Sequence, residues 1–387
     1  MSSEVLDEGR LAFANASLVL EDQIVAGHLL VEDGHIADLD GGASRDPHRI
    51  DLEGDYLIPG LVDLHTDNLE KHYQPRKGVE WDAVSAAISH DAQVAGAGIT
   101  TVFDSLTLGA ATGWDVRAEM IGPMVEGLRI AVDNQMLKVN HFLHLRCEVT
   151  HRDIGQIFET YVDDPLVRFM SLMDHAPGDR QSPDMDRYRQ LHIKLFDNDP
   201  TRVDAHIEEL LHGSTVYGPV NRKRLASTAR AKAIPFASHD DRKVEHITEA
   251  ADLGAVLTEF PTTVEAASAA RERGLLVVMG SPNLIRGGSH SGNVAASTLV
   301  ESNLLDALAS DYIPASLLLG ALRLTREEFG FELPDAIAMV TSKPARTAGL
   351  DDRGRIAKGL RADLIQVRMI RGRPVVRRVW CGGRRVA

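Results

Sequence analysis

The sequence predicts a (β/α)8 TIM-type barrel with a small β-sandwich domain formed from both termini. Three observations lead to this fold class. Eight short apolar segments alternate with longer amphipathic segments in the middle of the chain, both ends are rich in strand and turn patterns, and polar residues recur where the apolar segments stop. Strand–helix alternation is typical of a parallel sheet, and eight such strands can close into a barrel. A doubly wound open sheet is the alternative.

Length and composition fit this fold class. The chain has 387 residues, of which 44% are hydrophobic and 25% charged, as in ordinary globular proteins. The formal net charge of −14 argues against nucleic-acid binding, which needs a basic face, but leaves a phosphorylated small substrate open. The sequence shows neither a run of about 20 apolar residues nor a secretory signal, so we expect no membrane span. Two cysteines, Cys147 and Cys381, make no disulfide framework and favour a reducing cytoplasm.

The two ends of the chain are predicted to form one domain. Residues 11–58 show apolar alternation interrupted by Asp-Gly and Gly-Gly pairs, and residues 354–387 have the same character. We therefore assign residues 1–57 and 350–387 to the small β-domain and residues 58–349 to the barrel.

Eight segments are candidates for the barrel strands. They are residues 57–67, 98–105, 139–149, 167–175, 235–241, 254–261, 275–283 and 304–312. The last segment, which contains Leu-Leu-Asp-Ala-Leu-Ala, could equally be a helix. The polar stretch 180–232 is predicted to be a helical insertion over the mouth of the barrel.

Polar residues end seven of these eight segments, and the carboxyl ends of barrel strands surround a single site. A single histidine at a strand end is more often a hydrogen-bonded core residue than a ligand. Recurrence at the same end of several strands instead favours a metal site. Nitrogen and oxygen ligands suit one or two Mn, Mg, Zn or Fe ions, which activate water for hydrolysis. The predicted ligands are His65, Asp67, Glu148, His175, His239 and Asp311.

Two motifs extend this interpretation by resemblance. The segment from Ile58 to His65 resembles the opening of the amidohydrolase barrel, where a Pro-Gly turn leads into a His-x-His pair, and residues 354–364 resemble the return into its β-domain. The superfamily's second histidine is Asp67 here. A carboxylate is a harder ligand and shifts the preference towards Mn or Mg. The predicted strand count places Glu148 on the third strand, whereas the superfamily more often has its bridging residue on the fourth.

Longer motifs resemble one branch of that superfamily, the phosphonate-metabolism amidohydrolases of the carbon–phosphorus lyase pathway. They are His65-Thr66-Asp67-Asn68-Leu69-Glu70-Lys71-His72, Pro75-Arg76, His90-Asp91, Leu145-Arg146-Cys147-Glu148, Leu172-Met173-Asp174-His175, Ser238-His239-Asp240-Asp241 and Ala309-Ser310-Asp311-Tyr312. The resemblance implies hydrolysis of α-D-ribose 1-methylphosphonate 5-triphosphate to the 5-phosphate and pyrophosphate. It is compatible with a homo-oligomer and with association with other phosphonate-pathway proteins.

This reaction needs a base and cationic groups. Asp311 is the predicted general base, and its alternative role is that of a metal ligand alone. The predicted substrate-binding residues are Lys71, Arg76, Arg146, Arg180 and Ser289; the last lies in a glycine-rich stretch, 280–293, whose backbone amides could cradle phosphate. Arg146 could instead pair with Glu148, and Arg180 could be solvated.

Two other functions use the same fold. An amidohydrolase acting on a C–N bond, such as a cyclic amidase, deaminase or deacylase, would have the same metal site. A catalytically inactive barrel could serve as an interaction subunit. Retention of the whole polar set at the strand ends argues against the inactive barrel.

Overall fold

A computed structural model describes residues 9–42, 48–109, 115–289 and 292–387, and it contains two eight-stranded sheets. The first is the barrel, whose strands pair in sequential and parallel order. Its strands are β6 (Leu61–Thr66), β7 (Ile99–Leu108), β8 (Asn140–Glu148), β9 (Val167–Met173), β10 (Phe236–His239), β11 (Leu257–Glu259), β12 (Leu276–Gly280) and β13 (Ala307–Ala309). The eighth segment, which could have been a helix, is thus a strand of three residues.

The barrel is joined between its first and last strands at their carboxyl ends. A parallel bridge links Thr66 to Asp311. The Asp311 amide donates to the His65 carbonyl at 3.0 Å, and the Asp67 amide donates to the Asp311 carbonyl at 2.9 Å. These bonds bring the residues after β6 and β13 side by side.

The barrel strands are almost wholly buried because both of their faces are covered, as is usual for parallel strands. Inside, Val62, Leu64, Phe103, Phe169 and Ala237 belong to one apolar cluster. Outside, larger clusters pack the strands against the surrounding helices. The predicted parallel barrel is confirmed.

Fourteen α-helices and one 3-10 turn lie within the described ranges. They are α1 (Asn68–Tyr73), α2 (Ala83–Gly96), α3 (Asp115–Asp133), α4 (Ile154–Tyr161), α5 (Met185–His192), the 3-10 turn Ile193–Phe196, α6 (Pro200–Val216), α7 (Gly218–Ala231), α8 (Val244–Leu253), α9 (Val264–Glu272), α10 (Ser281–Arg286), α11 (Ala296–Glu301), α12 (Ser316–Leu324), α13 (Leu333–Ala338) and α14 (Ser342–Thr347). The first part of the glycine-rich stretch 280–293 forms α10, which has Pro282 in its first turn.

The stretch 180–232 is helical, as predicted, and much of it has its own small core. Ala176, Tyr188, Phe196, Val203, Ile207 and Leu210 pack together there, separate from the barrel clusters. His206 is buried within this core, and its Nε2 lies 3.2 Å from the Tyr188 hydroxyl.

The second sheet combines strands from both ends of the chain. Its strands are β1 (Arg10–Val19), β2 (Ile24–Glu32), β3 (His35–Asp40), β4 (Ile50–Asp51), β5 (Tyr56–Pro59), β14 (Leu364–Ile370), β15 (Arg373–Cys381) and β16 (Arg384–Arg385). They form one mixed sheet in the order β16-β15-β14-β5-β1-β2-β3, with β4 beside β1. The predicted small β-domain built from both termini is therefore confirmed. None of the helices in the described part of the chain has the length and apolar character needed to span a membrane.

A buried polar network fastens the first helices to the outer wall of the barrel. Asp104 on β7 contacts His90 of α2 at 2.6 Å and His141 of β8 at 2.7 Å. The Asn68 side chain, at the start of α1, lies 2.9 Å from the other ring nitrogen of His90. Burial opposes protonation of His141, but Asp104 and Asp91 outweigh it and raise its pKa to about 9.

The network predicts how stability depends on pH. Because the pKa of His141 is raised from its ordinary 6.5, its contribution is complete below pH 6.5 and is lost as the pH rises through about 9. We expect Asp104→Asn to lower the free energy of unfolding by about 3 kcal/mol at pH 6.5, since it leaves buried histidines without their carboxylate. The deficit should shrink at pH 9.

Denaturant unfolding of the wild type and Asp104→Asn at both pH values measures this effect. Asp252→Asn is the matched control, because Asp252 is exposed and only loosely paired with Arg273 at 3.8 Å. An equal loss of stability at pH 6.5 and pH 9 would contradict the protonated His141–Asp104 pair.

Candidate functional site

The carboxyl ends of the barrel strands carry the polar residues that the sequence singled out. His65 lies on β6, Glu148 ends β8, and His239 ends β10. Asp67, His175 and Asp311 follow β6, β9 and β13. Asp311 and Asp240 have left-handed backbone, with φ of 57° and 55°. At both positions the chain turns sharply at the end of a strand, where backbone strain is common at functional sites.

One cluster of the site is centred on His65. Its Nδ1 lies 3.2 Å from Glu259 Oε1, and its Nε2 lies 3.5 Å from Asp67 Oδ1. One ligand atom each from His65, Asp67 and Asp311 lie within 4.8 Å of one another. His65 and Glu259 are fully buried, so their charges interact strongly.

A second cluster lies next to it around His239. Its Nδ1 is 2.9 Å from Asp240 Oδ2, and the same oxygen is 3.7 Å from His175 Nε2. The rings of His65 and His239 are 5.8 Å apart. Glu148 lies behind His175, whose Nδ1 it contacts at 2.7 Å, and it also accepts from the Thr150 hydroxyl. The structure therefore brings Glu148 to His175 and not to the group around His65.

The buried nitrogens of these clusters fit divalent ions. His65 Nε2 and His239 Nε2 are both buried and make no hydrogen bond to any described residue. Imidazole nitrogen with carboxylate oxygen is a common donor set for Mn, Fe and Zn. In each ring Nδ1 contacts a carboxylate, an arrangement that turns Nε2 towards a metal.

The pKa values in this cluster are shifted in the direction expected for metal ligands that hold no ion. Burial alone would lower the pKa of His65, but Glu259 and Asp67 outweigh it and raise this pKa to about 10. Burial would raise the pKa of Glu259, yet the neighbouring His65 and His144 lower it to about 2. Ligating histidine must be neutral, so ion binding must displace the proton of His65.

A cavity of about 300 Å³ opens onto the clusters. Its polar lining comprises His65, Asp67, Arg146, Gln181, His239, Asp240, Asn283, Arg286, Ser289, Asn293, Asp311 and Tyr312, and apolar side chains include Phe260, Pro261, Met279 and Val294. A small anionic ligand fits a cavity of this size and polarity.

The predicted cationic residues take different positions. Arg146 is buried and lines the cavity, and its Nη1 donates to Asp67 at 2.6 Å, so it pairs with Asp67 rather than Glu148. Lys71 is exposed and donates to the Tyr312 carbonyl. Arg76 is exposed in a turn outside the cavity lining. Ser289 lines the cavity.

Arg180 is buried but absent from the cavity lining. Its Nη1 donates to Asp241 at 2.7 Å and to the His239 carbonyl at 3.2 Å. It braces the end of β10 and is not the solvated side chain that the sequence allowed.

Two residues of the ligand clusters were not predicted from the sequence. Glu259 ends the sixth strand, two residues before the predicted end of that segment at residue 261. Asp240 stands between His239 and Asp241 in a segment already assigned to the site. The predicted strand numbers of Glu148, His175 and His239 agree with the structure, so their departure from the usual superfamily pattern is not a counting error.

Comparison with known proteins places the chain in a family. The Amidohydrolase family model matches residues 56–386. The chain is 42% identical over 373 residues to the alpha-D-ribose 1-methylphosphonate 5-triphosphate diphosphatase of Escherichia coli (strain K12), which covers 96% of this chain and 99% of that protein.

Solved structures share the fold. N-acetylglucosamine-6-phosphate deacetylase from Pasteurella multocida superposes with a TM-score of 0.61 at 14% identity, covering 97% of this chain and 99% of that one. The 5-methylcytosine deaminase from Klebsiella pneumoniae, liganded with phosphonocytosine, gives a TM-score of 0.63 at 14% identity, covering 97% and 98%. At these identities the likeness concerns the fold alone. By the family match and the full-length relative, the chain belongs to the amidohydrolase family.

Proposed function

We propose that the protein hydrolyses α-D-ribose 1-methylphosphonate 5-triphosphate to α-D-ribose 1-methylphosphonate 5-phosphate and pyrophosphate, in phosphonate catabolism. The observation that carries the proposal is that one cavity is lined by hydrolase-type ligands and by two arginines, Arg146 and Arg286. Arginine suits phosphate because its fork of donors matches phosphate oxygens. The name of the Escherichia coli relative supports this particular substrate.

We assign two divalent ions, with Mn or Mg favoured by the carboxylate-rich donor set. His65, Asp67 and Asp311 would hold one ion, and His175, His239 and Asp240 would hold the other; the ligand atoms of each set lie within 4.8 Å of one another. A bound ion supplies Lewis acidity and lowers the pKa of a water molecule. Glu259 and Glu148 position the rings of His65 and His175 through their Nδ1 atoms.

Asp311 is the proposed general base. Burial raises the pKa of its carboxyl, and the neighbouring Asp67 adds to the effect, so its carboxylate takes up a proton more readily than an exposed one. A carboxylate has two oxygens, so Asp311 would be able both to help hold an ion and to accept the proton.

The reaction breaks the bond between the α-phosphorus and the bridging oxygen. Water attacks the α-phosphorus, its proton passes to Asp311, and the electron pair of the broken bond leaves with pyrophosphate. Arg146 lies at the floor of the cavity, held by Asp67, where its positive charge stabilises the charge that develops on the phosphoryl oxygens. Apolar side chains such as Phe260 and Met279 limit the access of bulk water.

We place this reaction in the cytoplasm. Cys147 and Cys381 are buried and free, which fits a reducing compartment. The partner of the protein in this proposal is the small-molecule triphosphate.

Phosphorus NMR tests the reaction. The substrate is α-D-ribose 1-methylphosphonate 5-triphosphate, and Mn is removed after turnover. We expect the signals of pyrophosphate to appear together with those of the ribosyl 5-phosphate. Asp311→Asn should lower kcat by about 100-fold or more because the base is lost. Asp351→Asn, at an exposed aspartate, is the control.

The alternatives differ in outcome. An unchanged phosphorus spectrum from wild-type protein that carries metal would exclude the phosphohydrolase and return the choice to a C–N hydrolase or an inactive barrel. Loss of metal together with activity in Asp311→Asn would make Asp311 a ligand and remove the case for it as the base.

The position of Glu259 predicts a separate effect on metal affinity. Glu259→Gln removes the carboxylate that orients His65, and we expect the metal dissociation constant to rise about 10- to 100-fold with the number of ions unchanged at saturation. Competition with a chelator, followed by elemental analysis, measures both quantities. Glu265→Gln, at an exposed glutamate of α9, is the control. The loss of one ion at saturation would make Glu259 a ligand instead.

A further inference from the structure

Two cationic side chains converge on one tyrosine of the cavity lining, Arg286 from within the lining and Lys71 from outside it. Lys71 Nζ donates to the Tyr312 carbonyl and lies 5.1 Å from the centre of the Tyr312 ring. Arg286 Nη1 donates to the Tyr312 hydroxyl at 3.4 Å. Arg286 and Tyr312 line the cavity, and the two cations approach opposite ends of the same tyrosine.

These cations differ from Arg146 in their charge balance. Arg146 is buried and paired with Asp67. Lys71 and Arg286 are exposed, and no carboxylate of the residues that the structure describes pairs with either of them. A multiply charged anion near Tyr312 would contact two positive charges that have no carboxylate partner. Its binding would also offset the repulsion between these two like charges.

The chain ties this group to the reaction site. Tyr312 directly follows Asp311, and Lys71 belongs to α1, which begins directly after Asp67. Arg286 ends α10, and Gly287 and Gly288 follow it with φ of 81° and 159°. Tyr312 and α1, which follow directly on residues of the clusters, therefore fix the position of Lys71 relative to the reaction site.

We propose that Arg286 and Lys71, held apart by Tyr312, bind the β- and γ-phosphates of the substrate, which leave together as pyrophosphate. This inference rests on the proposed function. With the α-phosphoryl group at the ion clusters and Arg146, the terminal phosphates extend towards the mouth. The pair then acts on substrate binding and makes the site selective for a 5-triphosphate over a 5-monophosphate, and it also retains pyrophosphate after the bond has broken.

Neutral and charge-conserving variants test the pair. Arg286→Gln and Lys71→Gln should each raise KM for the triphosphate about 10- to 100-fold, the usual range for losing a hydrogen bond to a charged group, and change kcat less than about threefold. Arg286→Lys should recover part of the loss because it keeps the charge. Arg326→Gln, at an exposed arginine outside the cavity lining, should match the wild type.

Direct binding separates this inference from the reaction. Calorimetric titration of metal-loaded protein with inorganic pyrophosphate should show a dissociation constant that rises with Arg286→Gln as much as KM does, while that of inorganic phosphate changes less than about threefold. Unchanged KM and unchanged pyrophosphate binding in both neutral variants would overturn the assignment.

Failure of the proposed function has a different signature. Wild-type protein that releases no pyrophosphate from the triphosphate contradicts the function, and the pyrophosphate titration still decides whether Arg286 and Lys71 bind that anion. Wild-type protein that releases pyrophosphate, with variants that bind it equally well, contradicts the inference alone.

Discussion

The site depends on the junction between the first and last strands of the barrel. Two backbone hydrogen bonds join Asp311 to His65 and to Asp67, and they place three polar side chains from distant parts of the sequence side by side. Backbone bonds of this kind hold geometry better than side-chain contacts, because they belong to the sheet itself. The left-handed turn at Asp311 then directs the chain towards Tyr312 and the mouth of the cavity.

Beneath this junction the barrel interior contains polar side chains, although apolar side chains at these positions would make the free energy of folding more favourable. Glu259 and His144 are fully buried, with His144 bonded to Ser171 and to the Leu64 carbonyl. Burial and the nearby positive charge of His65 lower the pKa of His144 to about 3, although Glu259 opposes this, so the ring is neutral near pH 7. A polar layer of this kind costs stability unless each group has a partner. Here the polar layer has a role that offsets this cost, because Glu259 fixes the orientation of the His65 ring.

The fold could be predicted because both of its signals are local. Apolar runs such as residues 276–279 identify buried strands, and the polar residue after most of the runs identifies the end that faces the site. The pairing partners could not be predicted. Whether Arg146 meets Glu148 or Asp67 depends on how the barrel closes, and the pairing of Asp104 with His90 and His141 depends on the packing of α2 against the barrel wall.

Glu259 shows why a strand-end pattern is incomplete as a guide to a site. Its segment, residues 254–261, ends on Phe-Pro, so the pattern of polar strand ends does not include the glutamate just before them. In the structure the strand already stops at Glu259, because Phe260 adopts a left-handed backbone with φ of 55°. The position of the strand boundary, rather than the type of residue, is therefore the reason why the sequence did not identify Glu259 as the partner of His65.

Charge balance connects the metal clusters to the substrate. Asp67, Glu148, Asp240, Glu259 and Asp311 surround the histidines, and Arg146 is the cation that pairs with one of them. In the neutral-histidine state that ion binding requires, this set has an excess of four negative charges, which would repel a triphosphate strongly at these distances. The two divalent ions of the proposed function would offset that excess. Arg286 and Lys71 would then attract a polyanion into a site built largely from carboxylates.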